Sequence, residues 1–339
     1  MIPRRHLRRR SLAALAMGLV TLAHCPGIGQ AAEQPVTVEA LAGDAEADCP
    51  GQAAGPSQLD VWVVSTRRLP CIDALPAGVS FDVERLSDDG GRRRWERADQ
   101  DELGAESGRP LVIFVHGNRY ESADARSQGL RLARRLAERR PEGPAAQVVV
   151  FSWPSQQQGL LLKDGRRKYE RAYADGHYLA WLLGRVEPER PVAIVGYSFG
   201  ALVAARALAD LDRLAPGGQA WAERPGRTQL VFVAPALRGD ALAPRGPFRD
   251  ALAGIDRLTL LINSRDEALR FFPLLEPAVR VPALGFVGMP RRWLPPEVDY
   301  AATDAAGIVG KLHTMQRYLD SPVLAERIAG GTLDGLVGE

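Results

Sequence analysis

The clearest chemical signal in the sequence is a serine set between an apolar run and an alanine-rich segment. Residues 192–201 read V-A-I-V-G-Y-S-F-G-A and contain the pattern G-x-S-x-G, with Ser198 at its centre. The flanking segments predict a buried strand that turns sharply into a helix. Glycines at 196 and 200 let the two elements approach closely while the hydroxyl points out of a strained turn. We interpret Ser198 as a nucleophile; the alternative is a glycine-rich turn in which it only caps the helix.

A serine hydroxyl needs a base to remove its proton, so the next question is which histidine supplies it. Beyond residue 32 the chain contains His116, His177 and His313. Where a serine lies on such a turn, the acid and the histidine follow it along the chain, and only His313 does so. We therefore expect His313 to be the base. His116 is interpreted as a scaffold residue after a strand, and His177 as a helix-surface residue.

The base in turn needs a carboxylate to orient its imidazole. Asp266 comes just after the apolar run 258–262, at the end of a predicted strand where open sheets carry their functional loops. We expect Asp266 to be this acid, with helix capping as the alternative role. Glu267 and Asp240 are the competing candidates, because one is adjacent and the other follows the preceding predicted strand.

Negative charge that develops on an acyl oxygen must be met by hydrogen-bond donors. We expect the backbone N–H of Phe199, directly after the nucleophile, to be one of them. The turn H-G-N-R at 116–119 follows another apolar run, so the backbone N–H of Asn118 is the expected second donor.

Short apolar runs alternate with segments of helical spacing, which predicts an α/β fold with a mostly parallel central sheet and helices on both faces. The predicted strands are 59–64, 79–86, 111–115, 148–151, 192–195, 230–233, 258–262 and 298–301. The first two are expected to form an antiparallel pair at the sheet edge. The predicted helices are 123–139, 169–183, 199–211 and 323–328. Substrate specificity is expected to depend on two loops, 156–168 and 273–296.

Four blocks together resemble a bacterial esterase/lipase-like group of the α/β-hydrolase superfamily. They read L-V-I-F-V-H-G-N at 111–118, V-F-S-W-P-S at 150–155, V-G-Y-S-F-G at 195–200 and S-R-D-E-A-L at 264–269. The resemblance spans about residues 59–328 and is most specific at F-S-W-P-S. It implies an α/β-hydrolase fold with Ser198 as nucleophile, Asp266 as acid and His313 as base. Ser152, Trp153 and Pro154 are expected to line or support the pocket, with core packing as the alternative for Trp153.

The chain departs from that group at two places. Asn118 and Arg119 stand where the group often has tyrosine and asparagine, which bears on the shape of the acyl pocket. The segment P-A-L at 235–237 lacks the aspartate that is usual after that strand, which favours Asp266 as the acid.

The N-terminus has the pattern of an export signal. Five arginines precede an apolar stretch at 12–23 and a run with small residues at 27–32, so we expect residues 1–32 to be a signal peptide. Residues 33–58 are expected to be a flexible lead and 59–339 the hydrolase domain. Removing 1–32 takes away five arginines and no acid, which changes the formal net charge from +2 to −3. The protein is thus expected to be periplasmic or secreted, without a transmembrane span.

Export bears on the three cysteines. Cys25 would leave with the signal, although it could instead be the lipidated cysteine of a lipoprotein, a reading that His24 disfavours. Cys49 and Cys71 would remain, either as a disulfide or as free thiols. The basic runs at 92–94 and 166–168 are flanked by acids, so solvated faces are favoured over nucleic-acid binding.

These features favour a serine hydrolase that acts on a carboxylic ester or a related acyl bond of a small or lipid-like substrate. No metal-ligand spacing or phosphate-binding loop is visible, so no cofactor is expected. Two alternatives stay open: a non-catalytic envelope module that binds a partner on the same fold, and an acyltransferase that uses the same three residues.

Overall fold

The computed structural model describes residues 59–89, 92–103, 108–141, 146–213, 221–277 and 279–336. The expected signal peptide and flexible lead lie outside the described residues, and so do Cys25 and Cys49. Cys71 is exposed, with a free thiol. No helix among the described residues combines the length and the apolar character needed to cross a membrane.

The described strands form one nine-stranded sheet in the order β3-β2-β1-β5-β4-β6-β7-β8-β9. Their bounds are β1 Asp60–Ser65, β2 Asp82–Asp89, β3 Arg92–Arg97, β4 Leu111–Val115, β5 Gln147–Ser152, β6 Val192–Tyr197, β7 Thr228–Val233, β8 Arg257–Ile262 and β9 Asp299–Asp304. Strand β1 and strands β4 to β9 are parallel, whereas β2 and β3 are antiparallel additions. Every residue of β4 to β7 is buried, as expected for parallel strands covered on both faces.

Helices cover both faces of this sheet, which confirms the predicted fold class. The helices are α1 Ser122–Arg139, α2 Leu161–Leu183, α3 Phe199–Arg213, α4 Glu267–Arg270, α5 Leu284–Val287, α6 Ala306–Val309, α7 Met315–Asp320 and α8 Pro322–Leu333. Helices α2 and α3 pack against each other on one face, and α1 packs with α7 and α8 on the other. Helix α1 buries a stripe formed by Leu132, Ala133 and Leu136 and begins where the backbone N–H of Glu121 donates to the Asp124 carboxylate.

Two sequence predictions need correction, and one strand was not predicted. The opening strands do form an antiparallel pair, but β1 lies inside the sheet beside β5, and the edge strand is β3. This strand was not predicted; it contains the arginine run at 92–94, whose side chains are exposed, as expected for a solvated face. Helix α2 begins at Leu161 rather than at residue 169, so most of the expected loop 156–168 is helical.

The sheet has a topological switch between β4 and β6. From β4 the chain leads to β5 on one side, while from β6 it leads to β7 on the other, although β4 and β6 are direct neighbours. Connections that leave in opposite directions open a crevice at the carboxyl ends of the two strands. Val115 of β4 pairs with Gly196 of β6, so the segments that follow both strands face this crevice.

Candidate active site

Ser198 lies on the sharp turn between β6 and α3, with a left-handed backbone at φ 53°. Its N–H donates to the Val233 carbonyl, and its own carbonyl accepts from the Ala236 N–H, both at 3.0 Å. A side chain at Gly200 would meet the carbonyl oxygen of Val115, and one at Gly196 would meet the backbone of Ala201. These bonds and close approaches hold the strained turn, as the pattern G-x-S-x-G predicts.

The structure brings Ser198, His313 and Asp266 into one hydrogen-bonded line. Nε2 of His313 lies 2.8 Å from Oγ of Ser198, and Nδ1 of His313 lies 2.6 Å from Oδ2 of Asp266. The Asp266 side chain is fully buried, while the His313 side chain is 18% exposed. An imidazole with a carboxylate on one nitrogen and a hydroxyl on the other is arranged to move a proton.

Asp266 both contacts the His313 imidazole and caps a helix, the two roles that the sequence offered for it. It is the N-cap of α4, because its Oδ1 accepts from the Leu269 N–H at 3.0 Å while Oδ2 contacts the imidazole. The competing acids lie in other ion pairs. Glu267 is exposed and pairs with Lys311 at 3.1 Å, and Asp240 pairs with Arg238, which lowers the pKa of that carboxyl.

Two residues that the sequence analysis missed hold the loop that carries His313. Asn263 is fully buried after β8, and its Nδ2 donates to the carbonyls of Gly310 at 2.9 Å and Leu312 at 3.3 Å. The ring of Tyr197 stacks on the imidazole, with centroids 5.3 Å apart. Tyr197 lies within the serine pattern, so an aromatic residue directly before Ser198 was the available signal. Nothing local marks Asn263.

The turn after β4 lies directly against Ser198. A Cβ built on Gly117 would lie 2.9 Å from Cβ of Ser198 and from the Tyr197 ring, so only glycine allows this approach. Asn118 follows at the edge of the cleft. No described residue accepts a hydrogen bond from the backbone N–H of Asn118 or of Phe199, so both are free to meet an acyl oxygen.

The next residues fasten this turn to the end of β5. The Arg119 N–H donates to the Ser155 carbonyl at 2.8 Å, and the Tyr120 N–H donates to Oγ of Ser155 at 3.2 Å. Arg67, which the sequence analysis missed, donates to the Tyr120 carbonyl at 3.0 Å and to Oγ of Ser152 at 2.8 Å. The ends of β1, β4 and β5 are thus joined through one guanidinium.

The two remaining histidines differ in role and environment. His116 is fully buried between the rings of Tyr120 and Trp153, and burial lowers its pKa to about 3. Its Nδ1 lies 2.9 Å from the Gly117 carbonyl, so the neutral ring donates there and supports the turn. The prediction for His177 is wrong: it is buried, with Nδ1 2.8 Å from Asp210 of α3, because the helix face that carries it packs against α3.

Trp153 packs in the core rather than lining the cleft. It is fully buried, and its Nε1 donates to the His116 carbonyl at 2.8 Å. Ser152 accepts from Arg67, and the Pro154 carbonyl accepts from Lys168 at 3.0 Å. The block F-S-W-P-S therefore supports the turn at residues 116–120 from the core and does not line the cleft.

A cleft of about 620 Å³ opens at Ser198 and His313. One wall is apolar and formed by Leu162 of α2 and by residues that follow β8, namely Ala268, Leu269, Phe271, Phe272, Leu274 and Leu275. Several of these side chains reach solvent, and Phe271 is 60% exposed. The turn at 118–120 also lines the cleft. No group of His, Cys, Asp or Glu within the described ranges is arranged to hold a metal ion.

A family model described as "Alpha/beta hydrolase family" matches residues 112–335. The chain belongs to this family. The match includes Ser198, Asp266 and His313 and every strand from β5 to β9. Membership of this family supports hydrolytic activity. No curated protein matches the chain.

Several solved structures match this α/β-hydrolase at low sequence identity. Esterase B from Lactobacillus rhamnosis shares 16% identity over 73% of this chain and 78% of its own, with a TM-score of 0.34. An esterase/lipase from an uncultured bacterium shares 13% identity over 73% of this chain and 82% of its own, with a TM-score of 0.34. An α/β serine hydrolase without a lid, from Xanthomonas campestris, shares 15% identity over 77% of this chain and 96% of its own, with a TM-score of 0.32. The family assignment rests on the match over residues 112–335.

Proposed function

We propose that the protein is a serine hydrolase that cleaves a carboxylic ester or a related acyl bond through an acyl-enzyme. The observation that carries the proposal is the line from Oγ of Ser198 through the His313 imidazole to the buried Asp266 carboxylate, with steps of 2.8 and 2.6 Å. A non-catalytic binding module has no need of this alignment, and the short distance from Ser198 to His313 favours catalysis over such a role.

In this mechanism Oγ of Ser198 attacks the acyl carbon while Nε2 of His313 takes the hydroxyl proton. Asp266 holds the imidazole and stabilises its charged form. The backbone N–H groups of Phe199 and Asn118 donate to the oxyanion. The leaving group then departs with the proton from His313, and water attacks the acyl-enzyme while His313 takes one of its protons. Ser198 regains its proton as the acid is released.

The lining of the cleft supports an acyl group with apolar character. Leu162, Phe272 and Leu275 provide an apolar surface next to the nucleophile. Burial of each methylene of an acyl chain on such a surface contributes up to about 0.8 kcal/mol. The cleft is open to solvent, so only part of this gain is expected.

The direct test is hydrolysis of a series of 4-nitrophenyl esters, from acetate to decanoate, by the purified protein. We expect turnover that Ser198→Ala abolishes while the folded state, measured by circular dichroism, is unchanged. Equal turnover by the wild-type protein and Ser198→Ala would contradict the proposal. Products formed with added alcohols or amines separate hydrolysis from acyl transfer by the same residues.

We also propose that the protein is exported to the periplasm or beyond. The proposal rests on the basic start and apolar stretch within residues 1–32. Cell fractionation and N-terminal sequencing of the mature protein test it. A cytoplasmic protein that retains residue 1 would contradict export.

A further inference from the structure

Arg119 stands out among the residues of the cleft by its charge. It is the only arginine or lysine of the described lining, and that lining contains no aspartate or glutamate. Arg119 is exposed, and no described carboxylate lies within ion-pair distance of its guanidinium. Most arginines of the nearby turns have partners, such as Arg67 with Ser152 and Gln156, or Arg238 with Asp240.

The backbone at Arg119 is fixed in an unusual conformation. Its φ is 63°, a left-handed value that costs a residue with a side chain on the order of 1 kcal/mol. Hydrogen bonds from the N–H groups of Arg119 and Tyr120 to Ser155 hold this conformation from both sides. The guanidinium is thus attached to a rigid turn, directly after the expected oxyanion donor Asn118.

We infer that Arg119 binds an anionic group of the substrate, so that the preferred substrate is an acyl ester that carries a carboxylate or a phosphate. A guanidinium is always charged and presents paired donors to such groups, and it has no competing partner in this cleft. The apolar residues of the same cleft, which include Leu162 and Phe272, are available for the uncharged part of the same molecule. This inference rests on the proposed hydrolase function and specifies its substrate class.

The basic residues of α2 add to the positive electrostatic potential near the cleft, but they do not take the place of Arg119 in binding an anion inside it. Lys163, Arg166 and Arg167 are exposed near the mouth, yet none of them lines the cleft, and the Arg166 guanidinium donates to the Leu274 carbonyl at 3.0 and 3.2 Å. They are expected to attract anions over a Debye length of about 10 Å, without selecting one in the site. Arg167, which has the same charge as Arg119 but lies outside the cleft, provides the matched control.

The experiment compares two pairs of esters that differ in one charge. In the first pair the anion is on the acyl side: 4-nitrophenyl hydrogen adipate and its neutral methyl ester. In the second it is on the alcohol side: the hexanoyl esters of 4-hydroxybenzoate and of methyl 4-hydroxybenzoate. The readout is the ratio of kcat/KM for the anionic and neutral members, so a general loss of activity in a variant cancels.

We expect the wild-type ratio to exceed that of Arg119→Gln by about five- to tenfold in at least one pair, which is the range for one partly exposed charge-assisted contact. Arg119→Glu is expected to lower the ratio further, whereas Arg167→Gln is expected to leave it close to wild type. The advantage of the anionic ester should also shrink in high salt. Equal ratios in the wild type and Arg119→Gln for both pairs, or an equal effect of Arg167→Gln, would overturn the inference. No hydrolysis of any ester by the wild type would instead contradict the proposed function, and the inference with it.

Discussion

Asp266 contacts His313 with one carboxylate oxygen, Oδ2 at 2.6 Å, and caps helix α4 with the other. One residue therefore combines a structural contact with the proposed catalytic one, and a substitution can separate the two. Asparagine caps helices about as well as aspartate, but it cannot offer the same charged acceptor to Nδ1.

We expect Asp266→Asn to lower kcat by on the order of 10³- to 10⁴-fold with little change in stability, because the cap survives while the imidazole is held in the wrong tautomer. Asp266→Ala should lose activity and about 1 kcal/mol of stability as well, since the cap is also removed. Ester hydrolysis and urea unfolding measure the two effects. An Asp266→Asn variant with near-normal kcat would show that the carboxylate does not act on His313.

Asn263 is expected to act by positioning the loop of His313. Asn263→Ala removes both donations, to Gly310 and Leu312, so kcat should fall by about ten- to a hundredfold while KM changes little. Ser264→Ala is the control, because Ser264 belongs to the same turn but its hydroxyl contacts Asp304 instead. If both variants lowered kcat equally, the effect would belong to the turn as a whole rather than to the Asn263 amide.

Gly117 tests the close approach between the turn after β4 and the nucleophile. An added methyl group would lie 2.9 Å from Cβ of Ser198, so Gly117→Ala should displace the turn and lower kcat/KM by about tenfold or more. Gly307→Ala is the control: nothing lies within 4 Å of its Cβ, and it sits in helix α6. Both kcat/KM and the unfolding midpoint should be near wild type there. Full activity in Gly117→Ala would rule out the expected oxyanion geometry.

His116 should make the stability of the protein depend on pH. Its pKa of about 3 in the folded state lies below the ordinary value near 6.5, because burial disfavours the charged ring. Between these values the unfolded chain binds the proton and the folded protein does not, so stability is fully present above pH 6.5 and is lost as the pH falls toward 3. The loss from this group approaches about 1.4 kcal/mol per pH unit.

Urea unfolding of the wild type and of His116→Phe at pH 7, 6 and 5 measures this contribution. The aromatic replacement keeps a ring between Tyr120 and Trp153 but cannot titrate. The free energy of unfolding should therefore fall less steeply with decreasing pH in the variant. Parallel pH profiles would show that burial does not lower the pKa of His116 in the folded protein.

The catalytic candidates could be predicted because their signals are local or follow from chain order. Ser198 lies in a short pattern with a steric cause, and His313 is the one histidine after it. The buried parallel strands were also predictable, since runs such as L-V-I-F-V at 111–115 are apolar on both faces. Asp266 could be chosen because it comes just after a predicted strand, although its contact with His313 joins residues that are far apart in the sequence.

Other features depend on contacts that no local pattern contains. Arg67 meets Ser152 and Tyr120 only in the folded sheet, and Asn263 meets the loop of His313 in the same way. The first turns of α2 have inverted polarity, with Lys168 buried while Leu162 is exposed, so hydrophobic spacing missed them. Strand β3 has the sequence R-R-R-W-E-R and lies at the exposed edge of the sheet. Because charged residues are typical of edge strands but not of buried ones, hydrophobic patterns did not predict it.

The most direct test of the central claim is labelling of the intact protein with a fluorophosphonate, followed by mapping of the modified peptide by mass spectrometry. We expect a single adduct on Oγ of Ser198, none in Ser198→Ala, and much slower labelling in His313→Ala, because the hydroxyl then lacks its base. A folded wild-type protein that stays unmodified at Ser198, or a Ser198→Ala variant labelled to the same extent, would contradict the account.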